Sequence, residues 1–382
     1  MAAARGRPIL ARMKHLIPAL LAAALTATAL PSARGADIRA ILDDAARLDA
    51  LETAIVAVGG VIVAERGYDG HSAAAPTNIK SASKTIVSAL VGIAIDKGHI
   101  EGTDQPIAPI LENRLPRDPD PRLRTVTVGH LLTMRAGLEP TSGPNYGRWV
   151  ASDNWVRAAL AQPFVDEPGG RMLYSTGSTH VLSAILTRTA GRSTLELARD
   201  WLGPLEDFAI ASWDRDPQGI YFGGNQMAMS PRSLLAFGEL YRNGGRTADG
   251  RQLISEAWIA QSWEPRTQSR FTGDAYGYGW FLRKIAGHDA HYAWGYGGQM
   301  LYVTPSLDLT VVMTSDETKP SARTGHRDRL HDLLGRIIEA VAEERDAAAA
   351  LTDDKAVGID DQARRRVTST ESGDNSELTR SP

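Results

Sequence analysis

The order of predicted elements along the chain indicates an α/β (α+β) sandwich, in which an antiparallel sheet from both chain ends is flanked by helices. Three observations support this prediction: two short β-rich segments near the N-terminus, a helix that is apolar on nearly every side, and strand patterning that returns near residue 277. Elements in this order form layers around one core. The segment between them, at about residues 107–229, is predicted to be a mainly helical insertion.

The first elements are two strands and a central helix. Residues 54–58 and 61–65 are β-rich, and Gly59-Gly60 between them is a strong two-residue hairpin signal. Residues 81–97 predict a helix that ends at Gly98. Because this helix is apolar on nearly all sides, we expect it to be buried at the centre of the domain.

Helical periodicity dominates the middle of the chain, and strands follow it. The predicted helices lie at residues 128–134, 154–161, 179–189, 194–202 and 230–243. The predicted strands lie at 277–284, 291–304 and 309–314, before a final amphipathic helix at 325–344. Residues 346–382 have no apolar periodicity, which predicts a disordered tail.

The first 35 residues have the pattern of a secretory signal. Four basic side chains precede the apolar run 16–30, and small residues around Gly35 suit cleavage after it. The run is short for a membrane-spanning helix. We therefore expect a signal peptide at 1–35, a folded domain at 36–345, and a periplasmic or secreted protein without a stable membrane span after cleavage.

The amino-acid composition argues against several classes of function. The 382 residues include no cysteine, which excludes thiol catalysis and thiolate metal sites. Cleavage after residue 35 would remove five basic residues, leaving 42 − 5 = 37 basic against 45 acidic residues, a formal charge of −8. That charge gives no general attraction to nucleic acid. The nine histidines include no His-Glu-x-x-His pair, so a zinc hydrolase has no support.

A serine and a lysine lie three residues apart at the start of the predicted buried helix. This spacing places Ser81 and Lys84 on one helix face. A serine hydroxyl needs a neighbouring base to become a nucleophile, and a buried lysine with a lowered pKa can supply one. The pair alone is a weak signal, and a capping serine beside a surface lysine is the alternative.

Two further segments add chemistry of the same kind. Tyr174 follows a proline–glycine turn, and beside a lysine it could act as an acid or base. The segment Trp294-Gly295-Tyr296-Gly297-Gly298-Gln299 interrupts a strand pattern with glycines. Glycines there permit close approach of a substrate carbonyl to backbone N–H donors, or else form a β-bulge.

Together the three motifs resemble the β-lactamase-related serine hydrolases. This family includes class C β-lactamases, D-alanyl-D-alanine carboxypeptidases, carboxylesterases and 6-aminohexanoate-dimer hydrolases. Further similarity lies in the segments 125–138, 223–231 and 277–280. The resemblance covers most of residues 54–316 and implies an α/β sandwich with a cleft beside an inserted helical region.

The resemblance also implies roles for the matched residues. Ser81 is the expected acylated nucleophile, and either Lys84 or Tyr174 removes its proton. Gly298 matches the last residue of the Lys-Thr-Gly motif, so the N–H groups of Ser81 and Gln299 are the expected oxyanion hole. The implied reaction forms an acyl-enzyme and hydrolyses it with water, using no metal or organic cofactor.

Two departures from the family pattern concern the substrate. Tyr296 and Gly297 stand where penicillin-binding relatives have Lys or His followed by Thr, and Thr176 replaces an Asn. With Gly298 these are the predicted substrate-binding residues. A tyrosine cannot offer the cation that holds a substrate carboxylate. The departures resemble the esterase and aminohexanoate-amidase branches, so we expect a small ester or linear amide as substrate and little β-lactam turnover.

Other interpretations use the same sequence differently. The protein could be a catalytically idle receptor for a ligand or the cell wall, or a true β-lactamase or D-Ala-D-Ala carboxypeptidase. An α/β-hydrolase elbow at residues 70–74 lacks its last glycine and the surrounding strand–turn–helix. His130, His180 and His291 are interpreted as structural residues. The oligomeric state does not follow from the sequence.

Overall fold

The computed structural model describes residues 33–371, and eleven strands lie in that part of the chain. They are β1 Leu51–Val58, β2 Val61–Gly67, β3 Thr77–Asn78, β4 Ser212–Trp213, β5 Met227–Met229, β6 Thr267–Gln268, β7 Ala275–Tyr276, β8 Phe281–Ile285, β9 His288–Gly295, β10 Gln299–Thr304 and β11 Leu309–Ser315.

Eleven α-helices lie in the same described residues. They are α1 Ala33–Asp44, α2 Ser83–Asp96, α3 Ile107–Ile110, α4 Val128–Leu132, α5 Tyr146–Val150, α6 Trp155–Leu160, α7 Thr176–Ala190, α8 Thr194–Trp201, α9 Pro231–Arg242, α10 Glu256–Ser262 and α11 His326–Glu371.

The two ends of the domain combine in one antiparallel sheet. Its order is β2-β1-β11-β10-β9-β8-β7-β6, so the first strand pairs with the last. The β1–β2 turn is the predicted Gly59-Gly60 hairpin, and both glycines have positive φ angles, of 59° and 85°. Two positive φ angles in succession suit glycine and match the twist of the strands. The predicted fold class is confirmed.

Side-chain alternation along the strands supplies two cores, one on each face of the sheet. In β1, Ile55 and Ala57 belong to the first core, which also contains the buried side chains of α2 and α9. Ala54 and Val56 belong to the second core, which is completed by α1 and α11. The sheet is therefore covered by helices on both faces, with α2 buried as the sequence predicts.

A second, short sheet joins the segment before α2 to the last part of the helical insertion. Strand β3, just before α2, pairs with β5 at the end of the insertion, and β5 also pairs with β4. The N–H of Ile79 donates to the carbonyl of Met227 at 2.9 Å. This closure brings distant parts of the chain to the start of α2.

Two predicted elements differ from the structure. Residues 291–304 form not one strand but two, β9 and β10, joined by Tyr296, Gly297 and Gly298. The glycines form this hairpin instead of a bulge, because their positive φ angles reverse the chain. Helix α11 continues to Glu371, where the sequence predicts disorder from residue 346. The alanines at 347–350 have high helix propensity and extend it without an apolar face.

The predicted signal segment lies outside the described residues except for residues 33–35, which open α1. Residues 372–382 also lie outside them. Within residues 33–371, no helix is both long and apolar enough to cross a membrane.

Candidate active site

The candidate nucleophile lies in a tight turn that leads into the buried helix. Lys80–Ala82 form a 3-10 turn immediately before α2, and Lys80 has a left-handed φ of 50°. Its N–H donates to Asn78 Oδ1 at 3.0 Å, which fixes this uncommon backbone conformation. The Ser81 side chain remains partly exposed at the surface of the turn.

Lys84 reaches back one helical turn to the serine. Its Nζ lies 3.0 Å from Ser81 Oγ, as the three-residue spacing predicts. The side chain is 2% exposed, and burial lowers the pKa of Lys84 from 10.5 to about 7. An amine with that pKa is about half neutral at pH 7, so it can accept a proton.

Two oxygens besides Ser81 hold the lysine. Lys84 Nζ donates to the carbonyl of Gly224 at 2.7 Å and lies 3.3 Å from Thr176 Oγ1. Thr176 is buried and also bonds to Ser142. Its hydroxyl therefore links the candidate base to Ser142, and its predicted contact with substrate stays a prediction.

Tyr174 completes the cluster from the segment just before α7. Its ring centroid lies 5.2 Å from Lys84 Nζ, and the Ser81 side chain is near enough to act on the pKa of its phenol. Burial raises the pKa of Tyr174 to about 12, although the Ser81 side chain acts in the opposite direction. The phenol is therefore protonated at neutral pH and can donate a proton. The structure thus brings together Ser81, Lys84 and Tyr174.

The segment 125–138 positions Tyr174. Arg135 donates hydrogen bonds to the carbonyls of Gly169 and Gly170, and the N–H of Leu173 donates to Met134 at 2.7 Å. His130 accepts from the Thr127 N–H in a capping box at α4, as a structural histidine would. These contacts hold the chain that leads into Tyr174 against the segment 125–138.

The glycine-rich hairpin meets the serine turn at Gly295. A Cβ on Gly295 would lie 2.3 Å from the carbonyl oxygen of Ile79, so only glycine fits there. Tyr296 follows immediately and is 49% exposed. Because β9 ends at this contact, the backbone of Tyr296 lies next to the turn that carries Ser81.

The other predicted site residues of this hairpin pack against segments away from Ser81. A Cβ on Gly297 would meet Asp316, and one on Gly298 would meet Leu330 of α11. Gln299 pairs with Gly295 in the ladder, and its buried amide side chain bonds to the backbone of Ser315. Gly297, Gly298 and Gln299 are all buried, so their backbone does not face an open cleft. The predicted oxyanion role of Gln299 and the predicted substrate contacts of Gly297 and Gly298 are corrected on this ground.

The sequence prediction matched the wrong glycine of this segment to the last residue of the Lys-Thr-Gly motif. Gly295, Gly297 and Gly298 lie within four positions, and each could match the glycine of the family motif in sequence. Only the packing of Gly295 against Ile79 selects the first. The two residues before it are Ala293 and Trp294, which provide no cation either.

Sequence reasoning missed the carbonyl of Gly224 as a lysine acceptor. Gly224 has a φ of 85°, and a Cβ there would lie 2.8 Å from Lys84 Cγ. The paired glycines at 223 and 224 were the available signal, because adjacent glycines mark a close backbone approach. Ser142 was missed as well, and nothing in its local sequence distinguishes it.

A pocket of about 490 Å³ lies beside the cluster on the side of the helical insertion. It adjoins the site because Asn225, next to Gly224, donates to the Tyr146 hydroxyl at 2.8 Å. Its lining residues are Tyr146, Val150, Trp155, Asp214, Arg215, Phe222 and Gln226. A pocket of about 540 Å³, lined in part by Asp96, Gln105 and Trp258, contains neither Ser81 nor Lys84 nor Tyr174.

No group of three or more potential metal ligands occurs among the residues that the structure describes. His291 is stacked on Trp263 with ring centroids 4.2 Å apart, and burial lowers its pKa to about 4. It lies in β9 as a packed, neutral side chain.

The sandwich and its cluster of a serine, a buried lysine and a tyrosine define the class of the protein as a serine hydrolase. The chain belongs to the Beta-lactamase family, whose model matches residues 38–336. No curated protein is significantly similar to the chain.

Solved structures support the same fold. A protein from Bacillus anthracis assigned as a 6-aminohexanoate-dimer hydrolase has a TM-score of 0.65 and 18% identity, over 80% of this chain and 82% of that one. EstCE1, a hydrolase with promiscuous acyltransferase activity, has a TM-score of 0.62 and 18% identity over 81% and 98%. A β-lactamase from Mycobacterium bovis has a TM-score of 0.56 and 18% identity over 80% and 98%.

Proposed function

We propose that the protein is an exported serine hydrolase that cleaves ester or linear amide bonds through an acyl-enzyme on Ser81. One observation carries the proposal: Lys84 Nζ lies 3.0 Å from Ser81 Oγ, and burial lowers its pKa to about 7. A buried neutral amine in hydrogen-bond reach of a partly exposed hydroxyl is the arrangement that nucleophilic catalysis needs.

Lys84 is the proposed base in the acylation step. Its neutral amine has two N–H donors and one lone pair, and the carbonyl of Gly224 can only accept, which fixes one N–H. The lone pair is then free to take the proton of Ser81. As Lys84 becomes an ammonium, Ser81 Oγ forms a bond to the substrate carbonyl carbon.

Tyr174 is the proposed acid for the leaving group. Its pKa of about 12 keeps the phenol protonated, so it can donate to the departing alcohol oxygen or amine nitrogen. The Lys84 ammonium then returns a proton to the phenolate, and both groups regain their first state. In deacylation, water takes the place of the alcohol or amine and the same transfers run in reverse.

The N–H groups of Ser81 and Tyr296 are the proposed oxyanion donors. Gly295 packs on Ile79, which sets the backbone of Tyr296 beside the nucleophile turn. Fixed backbone donors stabilise the charge that develops on the carbonyl oxygen.

The proposed substrates lack the carboxylate that β-lactams and D-alanyl peptides present. Ala293 and Trp294 precede Gly295, so the Lys-Thr pair is absent in the corrected register as well. The nearby cation of Lys80 is ion-paired with Glu317 at 3.0 Å. The adjoining pocket is lined by aromatic side chains and by polar or charged ones, so it suits a substrate group that has both an apolar face and a polar end. The aromatic residues are Tyr146, Trp155 and Phe222, and the polar or charged residues are Asp214, Arg215 and Gln226.

Export remains part of the proposal. The second core begins with Ile38 and Leu42 of α1, both fully buried. Cleavage after Gly35 would leave this packing complete. A secreted or periplasmic protein with Ala36 as its first residue, measured by intact mass, is the expected result, and a cytoplasmic protein that retains residues 1–35 would contradict it.

The function is tested by intact mass after exposure to a fluorophosphonate probe, followed by mapping of the modified peptide. Ser81 Oγ should displace fluoride from phosphorus and give one adduct, which is absent in Ser81→Ala. Ser72→Ala is the matched control, because Ser72 is exposed and lies in the rejected elbow motif. It should label like the unmodified protein.

Turnover assays then separate the alternatives. Hydrolysis of p-nitrophenyl esters or short anilides that exceeds hydrolysis of a cephalosporin reporter supports the proposal. Efficient cephalosporin turnover would identify a β-lactamase instead. A folded protein that takes no adduct, or takes it at another serine, would reject the assignment and favour a catalytically idle receptor.

A further inference from the structure

A fully buried histidine–carboxylate pair lies behind the lysine, in the helical insertion. His180 Nε2 and Asp216 Oδ2 are 3.0 Å apart, and both side chains are 0% exposed. The rings of Trp149, Trp155 and Phe222 surround the imidazole at centroid distances of 5.6 to 5.8 Å. A buried charge is costly unless its partners are fixed, so this pair requires a specific reason.

The hydrogen bonds determine the tautomer of His180. The N–H of Gly223 donates to Nδ1 at 3.3 Å, so Nδ1 carries a lone pair and the proton lies on Nε2, facing Asp216. Asp216 Oδ1 accepts from the N–H groups of Gln218 and Ile220, both at 2.8 Å. Burial acts to raise the pKa of Asp216, but the bonds from His180, Ile220 and Gln218 hold it below the usual value.

The residue bonded to His180 adjoins the one that holds the lysine. Gly223 donates to His180, and the carbonyl of the next residue, Gly224, accepts from Lys84 Nζ at 2.7 Å. This segment has no free space: a Cβ on Gly223 would lie 2.3 Å from the carbonyl of Thr179. A displacement of the Gly223 N–H therefore moves the carbonyl that orients Lys84.

We propose that His180 and Asp216 are positioning residues for the reaction at Ser81. Asp216 selects the Nε2–H tautomer of His180, His180 Nδ1 fixes the N–H of Gly223, and the carbonyl of Gly224 then directs the lone pair of Lys84 toward Ser81. This inference rests on the proposed function, because it assigns the pair to the same acylation step. Neither residue contacts the reacting atoms.

Asp216→Asn is the sharpest variant, because it preserves shape. The two backbone donors at Gln218 and Ile220 retain the amide oxygen, so the amide NH₂ faces His180 Nε2 and selects the Nδ1–H tautomer. The Nδ1–H then opposes the N–H of Gly223. We expect the rate of fluorophosphonate acylation and kcat for an ester to fall roughly 30-fold or more, with KM nearly unchanged.

Two further measurements separate positioning from mere stability. Nitrogen-15 spectra of the histidine rings should report the tautomer change at His180. His331→Asn is the matched control, because His331 is also buried and bonds to Tyr302, on the opposite face of the sheet. It should lower thermal stability and leave kcat unchanged.

If Asp216→Asn does not fold, a pair of variants at His180 tests the same proposal. His180→Asn can still offer an oxygen to the Gly223 N–H, whereas His180→Gln can reach Asp216 but offers no acceptor at the Nδ1 position. Acylation at least about 10-fold faster in His180→Asn supports the proposal. Equal rates in this pair, or normal kcat in an Asp216→Asn protein with the changed tautomer, would overturn it. An unmodified protein that takes no probe would instead reject the proposed function.

Discussion

The two faces of the main sheet both bury polar side chains, but the hydrogen bonds of those side chains lead to different places. On the α2 face, Lys84 and Thr176 connect to the partly exposed Ser81. On the α1–α11 face, His326 bonds to Ser315 and His331 bonds to Tyr302, within the second core. Only on the α2 face, therefore, do the buried polar side chains lead to a group that a substrate could reach.

The two faces also differ in what a substitution should change. On the α2 face, the amine of Lys84 is buried with a lowered pKa, which costs stability and makes the neutral, reactive form available. On the opposite face, the bonds join neutral groups and contribute to stability alone. The following variants test whether activity and stability separate along this division.

The largest effect is expected for Lys84→Met. Loss of the base should lower acylation and ester hydrolysis by about 10³-fold or more. Because the folded pKa of Lys84 is about 7 and the unfolded value is 10.5, the unfolded chain binds more protons between these pH values, and the unmodified protein gains stability as pH rises through that window. The variant should lack this gain and melt higher at pH 7, by roughly 2–6 °C.

Lys97→Met is the control for that comparison, because Lys97 ends the same helix but is exposed. It should change neither rate nor melting temperature appreciably. A Lys84→Met protein that keeps its rate within tenfold would show that Lys84 is not the base.

The next effect compares two glycines of one hairpin. Gly295→Ala places a methyl group against the carbonyl of Ile79 and should lower kcat/KM roughly 100-fold by displacing the nucleophile turn. Gly298→Ala, at a φ of 113° and near Leu330, should mainly cost stability, about 1–3 kcal/mol. Ester kinetics and chemical denaturation measure the two effects. If Gly298→Ala lowered kcat/KM and Gly295→Ala only lowered stability, Gly298 would be the motif glycine, as the sequence predicted.

The pH dependence is a smaller effect that tests the same base. Since neutral Lys84 is the reactive form and its pKa is about 7, kcat/KM for an uncharged ester should rise through pH 7 and level above it. At pH 6 the rate should be about a tenth of the plateau. Ser81→Ala supplies the background rate. A midpoint of the pH–rate profile above pH 9 would mean that the pKa of Lys84 is not lowered in solution.

The smallest effect is expected on the opposite face. Tyr302→Phe removes the hydroxyl that bonds to His331 at 3.1 Å, without changing the shape of the core. Unfolding by urea should show a loss of about 1 kcal/mol. Ester kinetics should stay within twofold of the unmodified protein, and a tenfold loss would show that the two faces are coupled.

Local pattern was sufficient to predict the elements that carry the reaction. Helical spacing placed Ser81 and Lys84 on one face, and the distance of 3.0 Å follows from it. The hairpin at Gly59-Gly60 followed from its turn chemistry in the same way. His180 could be interpreted only as a structural residue, because nothing in its neighbourhood along the chain indicates Asp216.

By itself, then, the sequence determined the antiparallel sandwich, the spacing that puts Ser81 within reach of Lys84, and the family resemblance, since these depend on periodicity and on residues a few positions apart. Tertiary structure alone decided which glycine meets Ile79, that Gly224 holds Lys84, and that burial lowers the pKa of this lysine. The physical reason is that close packing and desolvation depend on atoms supplied by distant segments, whereas secondary structure is encoded by near neighbours.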